Sequence, residues 1–224
     1  MFVGMSRRTT KILVAAGAVI GLAFVADLGW SLMTRVKEPS YSVQVKDGDF
    51  EVRAYEPRVV AETVVQGDWG ASGNEGFRRL AGYIFGKNTT RSKIAMTAPV
   101  GQRVESRKIA MTAPVGQRRD GDAWVVTFTM PEGETLESLP QPLDSRVVLR
   151  EMPAERFAVV RFSGRWSDRK MLERANTLRE WAKSRGLDVV GEPEVNRYNP
   201  PWTLWFLRRN EVWLEIGSSA QPSA

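Results

Sequence analysis

The side chains of this chain that could move a proton near neutral pH are carboxylates, lysines and tyrosines, because its 224 residues include no histidine and no cysteine. That absence removes the commonest general base, the commonest transition-metal ligand, thiolate nucleophiles, disulfides and every His-containing triad. The carboxylates are scattered. Glu132, Glu134 and Glu137 share one stretch, PEGETLESLP, whose composition fits a solvated loop better than an acid–base pair. Lys93 and Lys108 open two copies of one undecapeptide, KIAMTAPVGQR, at 93–103 and 108–118, and no base stands by to activate Thr97 or Thr112. No Gly-x-Ser-x-Gly, phosphate-binding loop, dinucleotide fingerprint or calcium loop occurs. These residues argue for binding rather than catalysis.

The conspicuous groups are apolar. They are Met96 and Met111 in the two repeats, Met130 in FTMP, and Tyr198, Pro200, Pro201, Trp202 and Trp205 in YNPPWTLW. Two prolines between Tyr and Trp stiffen a loop that presents aromatic faces, and pockets for flat apolar ligands are built from such groups plus a few fixed charges. The competing reading for each of them is a place in the core.

The elements that must hold these groups follow from composition and periodicity. A hydrophobic fraction of 42% with eight tryptophans is enough for a sizeable core in one large domain or two small ones. The formal charge is +6, and half of it lies in residues 1–40, where Arg7, Arg8, Lys11, Arg35 and Lys37 face only Asp27 and Glu38. The rest is weakly basic with scattered charges, which argues against nucleic acid as a partner. Residues 1–11 form a basic N-terminus. Residues 12–33 are apolar apart from Asp27 and Ser31 and predict a transmembrane anchor, with a cleaved signal sequence as the alternative. The basic flank predicts a cytoplasmic N-terminus and a domain on the extracytoplasmic side, periplasmic or extracellular. An exported soluble protein follows if the segment is cleaved. Residues 34–40 read as a linker, 41–216 as the domain and 217–224 as a disordered tail.

Within the domain, YSVQV, FEVRAY and RVVAETVV read as strands and GDWGASGN as a loop. EGFRRLAGYIFG places Phe77, Leu80, Ala81 and Ile84 at helical spacing, with Gly86 as the stop. AWVVTFTM, RVVLREM and ERFAVVRFSG read as strands. A helix follows, capped by Ser167, ended by Gly186, with Met171, Leu172, Ala175, Leu178 and Ala182 on its apolar face. EVNRYNPPWTLWFLRRNEVWLEI closes the domain as two strands around Arg208–Asn210. The halves resemble each other, since Val52–Trp69 parallels Leu149–Trp166 and each Gly-x-Trp leads into a helix. The pattern predicts one pseudo-symmetric α+β domain, a large antiparallel sheet with two helices on it. Apolar residues alternate in each KIAMTAPV, so the repeats predict two adjacent antiparallel strands, each placing a Met on one face, with one copy looped out as the rival. Asn88–Thr90 matches a glycosylation sequon.

KIAMTAPV, VVTFTMP and YNPPWTLWFLRRNEVWLEI, with FEVRAYEP and the Gly-x-Trp loops in register, resemble the SOUL haem-binding protein family from about Tyr41 to Ile216. The resemblance implies a distorted β-barrel of two pseudo-repeats, each with a helix on the sheet. It also implies haem or another tetrapyrrole in an apolar pocket between the first helix and the loop joining the late strands. Here those positions are Phe77, Leu80, Ala81, Ile84 and the segment Tyr198–Trp202, with Met96 and Met111 as further lining. Arg78, Arg79, Arg91 or Lys93 could pair with propionates. Some members are thought to ligate iron through His, which this chain lacks. Met96, Met111, Tyr198 or a Lys would have to serve, or the iron goes without a protein ligand, and a hydrophobic, non-coordinating site is expected. The expected function is a membrane-anchored tetrapyrrole carrier or buffer. A module for another flat amphipathic molecule and a tetrapyrrole-modifying enzyme are the alternatives.

Overall fold

The computed structural model describes residues 36–89 and 106–217. The first repeat supplies β1 (Tyr41–Asp47), β2 (Phe50–Tyr55), β3 (Arg58–Gln66), α1 (Trp69–Ile84), a short β4 (Asn88–Thr89), β5 (Val115–Asp120) and β6 (Ala123–Thr129). After a short β7 (Gln141–Pro142), the second supplies β8 (Val147–Met152), β9 (Glu155–Phe162), α2 (Asp168–Ser184), β10 (Val189–Arg197) and β11 (Asn210–Ile216). Nine strands form one antiparallel sheet in the order β1-β2-β9-β11-β10-β5-β6-β3-β8, and β4 pairs with β7 apart from it.

That order is symmetric about the boundary between β10 and β5. The pairs β3–β6 and β9–β11 correspond, as do β5–β6 and β10–β11, and β3–β8 and β2–β9. The duplicated sequence pattern is therefore a real duplication in space. The halves also interlock, because β2 joins the second half of the sheet and β8 joins the first. The expected barrel is corrected: the sheet is open, with β1 and β8 as its edges. Almost all of β1 is exposed, and β8 turns Val148, Arg150 and Glu151 to solvent. Charged side chains along an edge oppose further pairing.

Both helices cover the same face. Against α2 pack Val52, Val160, Val212 and Leu214, and against α1 pack Val59, Ala61, Val126 and Phe128. The opposite face carries Tyr55, Phe157, Val159 and Trp213. Side chains alternate faces along a strand, so one residue of offset decides which layer a group joins.

The helix boundaries come from caps. Asp68 accepts from Ala71 N at 2.8 Å and starts α1, so GDWGASGN, expected as a loop, forms its first turns. Three glycines disguised this start. Gly76 has a packing role, since a Cβ there would lie 2.4 Å from Val126 Cγ2. Gly76→Ala should therefore destabilise the domain by about 1–3 kcal/mol through overpacking, where a solvent-facing helical glycine would gain stability from the same change; urea unfolding measures it. In α2, Ser167 caps the start, and Met171, Ala175, Leu178 and Ala182 are buried as expected. Leu172 is not, being 60% exposed, because it sits one residue off the packed stripe.

Two further expectations change. Second-copy residues Lys108–Met111 are not a strand, and the strand begins at Val115, after a cis Ala113–Pro114 bond. The first copy lies outside the described residues. The stretch from Tyr198 to Arg209 is a loop with one 3-10 turn at Trp205–Leu207, so the closing strands meet through an aromatic connection rather than a tight turn. Among the described residues no helix is long and apolar enough to cross a membrane, and the apolar segment 12–33 lies outside them.

Candidate functional site

Helical periodicity divides the apolar residues of α1 between two tasks. Leu80 and Ile84 point at the sheet and are fully buried among Val59, Ala61, Val126 and Phe128. They belong to the core cluster beneath α1, whereas the sequence reading groups them with the pocket. Phe77, Ala81 and Phe85 recur every four residues along a different line. Phe77 is 41% exposed with its ring edge-on to Phe128, Ala81 is half-buried, and Phe85 is exposed. The neighbouring segment is tied to the C-terminal end of this helix, for Ile109 N donates to Ile84 O at 2.8 Å. Asn88 also fixes it, donating to Arg107 O and accepting from Arg107 N. Met111 on that segment is partly exposed. The Asn88 side chain is wholly buried by these bonds, so the sequon is a structural device.

The expected propionate partners fare unevenly. Arg78 is exposed and pairs with Glu75. Arg79 is a tie between helix and sheet, bonded to Glu75, Thr63 Oγ1 and Val64 O. Arg91, Lys93 and Met96 lie outside the described residues.

Tyr198 is not beside α1. Strand alternation puts Val195 and Arg197 on the helix face and Asn196 and Tyr198 on the other. The Tyr198 hydroxyl donates to Glu211 Oε2 at 2.8 Å, inside a network that removes it from any helix-side pocket. Glu211, with no exposed surface, also accepts from Arg53 at 2.9 and 3.1 Å, Arg209 at 2.9 Å and Trp213 Nε1 at 2.8 Å. Burial pushes its carboxyl up, but the hydrogen bonds and charges of Arg53 and Arg209 outweigh burial and hold it below the ordinary range. Pro200 is half-buried, and Pro201 and Trp202 are exposed.

The residue that sequence reasoning missed is Arg197. Its guanidinium lies over Trp69 at 4.5 Å and over Trp166 at 5.0 Å, the two Gly-x-Trp tryptophans, whose rings are 5.9 Å apart. Arg53, Arg58, Arg79 and Arg209 each hold a carboxylate, whereas the hydrogen-bond acceptor of Arg197 among the described residues is Gln117 Oε1, at 2.6 Å. Its Nε and the neighbouring Trp69 Nε1 are buried without acceptors. Burial lowers its pKa to about 10, which leaves it cationic at neutral pH. Gly73, one turn before Phe77, packs so closely that a Cβ would lie 2.8 Å from Arg197 Nη2. The signal was there in the strand alternation of Val195 and Arg197, within the strand expected from Glu194 onwards, but nothing in the sequence showed that Arg197 meets the two tryptophans.

Two concavities lie elsewhere and are less suited to a flat anion. A wide groove of about 590 Å³ beside α1 is lined by Val64, Ala71, Glu75, Arg79 and Arg146, and each of its cations is held by a carboxylate. A cleft on the open face, about 60 Å³, is walled by Arg58, Glu194, Asn196 and Trp213 and is too small for a macrocycle. Among the described residues no group of three or more acidic side chains could hold a metal ion.

The architecture is a two-repeat antiparallel sheet with one helix on each half of a common face. Its fold matches the C-terminal domain of EcmrR, with a TM-score of 0.51 at 10% identity over 79% of this chain and 98% of that one. The SOUL heme-binding protein family profile matches residues 36–215, and the chain belongs to that family. Heme-binding protein 2 of Mus musculus is 31% identical over 178 residues, 77% of this chain and 80% of the relative. Heme-binding protein 2 of Homo sapiens is 32% identical over 170 residues, 75% and 78% of the respective chains. Both relatives are named for binding, and neither name states a reaction.

Proposed function

We propose that this protein binds haem or a closely related anionic tetrapyrrole on the helix side of the sheet and acts as a membrane-anchored carrier or buffer. The observation that carries the site is the orphaned pair of donors, Arg197 Nε and Trp69 Nε1, next to the outward apolar line of α1. A tetrapyrrole has a flat apolar body and carboxylates on one edge. Phe77 and Ala81 suit the body, and Arg197, with Arg78 further out, suits the carboxylates. Family membership and the names of the two relatives support the ligand class.

Iron ligation contributes little in this reading. There is no His or Cys, the Tyr198 phenol is committed to Glu211, and of the described Met and Tyr side chains by α1, Tyr83 and Met130 are buried in the core while Met111 is partly exposed. The protein holds the ring by its face and its acidic edge. Titration with haemin should shift the Soret band, and iron-free protoporphyrin should bind within a few-fold of haemin. No Soret shift at micromolar protein would refute the reading. A large preference for haemin would refute the non-coordinating part of it. The apolar segment 12–33, read as an anchor, supports the membrane part of this reading, since apolar tetrapyrroles partition into bilayers.

A further inference from the structure

The β10–β11 loop carries the densest exposed apolar surface of the described residues. Trp202 is 69% exposed, and Leu204, Trp205, Phe206 and Leu207 are between 41% and 49% exposed. Soluble surfaces rarely expose so many large apolar groups in succession without a partner. The exposure does not come from slack chain. Thr203 N donates to Pro200 O and Leu207 N to Leu204 O. Arg208 donates to Thr203 O at 2.7 Å and Pro201 O at 2.5 Å, and Arg209 N donates to Asn199 Oδ1. Gly164 N, from the β9–α2 corner, donates to Trp205 O at 3.0 Å. The backbone is satisfied inward and the side chains are held outward.

The start of the described chain is fastened to the foot of this loop. Glu38 pairs with Arg209 at 2.7 Å, and Lys37 O accepts from Ala113 N, just before β5 pairs with the end of β10. Within the stretch 34–40, expected as a linker, Lys37 and Glu38 are docked on the domain. The adjoining corner adds Arg165, exposed and without an acidic partner among the described residues.

We infer that Trp202–Leu207 seats in the interfacial layer of an anionic phospholipid bilayer, as a second contact beside the N-terminal segment. The inference rests on reading that segment as a membrane anchor. Tryptophan and phenylalanine favour the headgroup–acyl boundary, nearby arginine favours anionic lipid, and one anchor plus one interfacial contact fixes a domain's orientation where one alone leaves it free to swivel. The loop is tied through Gly164 to the corner that carries Trp166, the ring under Arg197, so the lipid surface would lie on the side of the loop that leads toward Arg197.

The chain has no cysteine, so single-cysteine labelling is clean. The full chain would be reconstituted in phosphatidylcholine/phosphatidylglycerol vesicles with a nitrobenzoxadiazole label on Phe206→Cys, on Leu204→Cys as a second loop position, and on Asp122→Cys in the β5–β6 turn, at the other end of the sheet. The expected result is blue-shifted emission and strong quenching by spin-labelled lipid at 206 and 204 but not at 122. Chain that floats with vesicles while 206 and 204 stay as water-exposed as 122 would overturn the inference and leave the anchor standing. Chain that does not float with vesicles would overturn both.

Discussion

Glu211→Ala should destabilise the domain by about 3–5 kcal/mol, the cost of removing one partner from a buried ion pair. The residue to lose is the one acceptor shared by two arginines, a tyrosine and a tryptophan. Without it, the carboxylates left to them among the described residues are Glu51 for Arg53 and Glu38 for Arg209, both nearer the surface. Glu211→Gln keeps the shape and one acceptor and should cost less. Urea unfolding at neutral pH compares the two. The pH dependence has a definite sign. The folded carboxyl titrates below its ordinary 4.5, so its contribution is complete above that value and disappears as pH falls through the folded value. Wild type should lose stability on acidification below about 4.5 more steeply than Glu211→Gln.

Phe77→Asp and Arg197→Leu should each weaken haemin binding by about ten- to a hundredfold, for different reasons. Phe77 is exposed, so its replacement removes apolar contact with a ligand, worth about 1.5–3 kcal/mol for a full burial, at little cost to the fold. Arg197 offers a charge-assisted bond of similar worth, about 1.5–3 kcal/mol. Arg197→Lys should recover part of it. Arg79→Ala is the contrast, because that side chain ties α1 to β3 and its loss should lower stability more than affinity. Equilibrium Soret titrations with thermal unfolding of each variant separate the two effects.

The architecture was legible because its signals are local and repeated. The strand alternation of β2, β3 and β9, the Ser167 cap and the paired Gly-x-Trp corners all survive into the structure. The openness of the sheet was not legible, since it depends on which strands lie at the edges. At the site, helical spacing named Phe77, Leu80, Ala81 and Ile84 together, but the direction of the sheet decides which two are buried. Tyr198 and Arg197 show the same limit in a strand. They differ by one residue and lie on opposite faces, and the aromatic residue drew the eye while the arginine met the helices. Arg197 becomes conspicuous only when its neighbours show that it has no carboxylate.

The central claim is a location: an anionic tetrapyrrole sits on the helix side, against α1 and Arg197. Backbone chemical shifts of the protein, recorded with and without iron-free protoporphyrin, test it most directly. The account predicts the largest changes at Gly73–Phe85, at Trp166 and at Arg197, with small ones at Arg58, Glu194 and Asn196 across the sheet. Changes concentrated at those open-face residues, or none at saturating ligand, would contradict it.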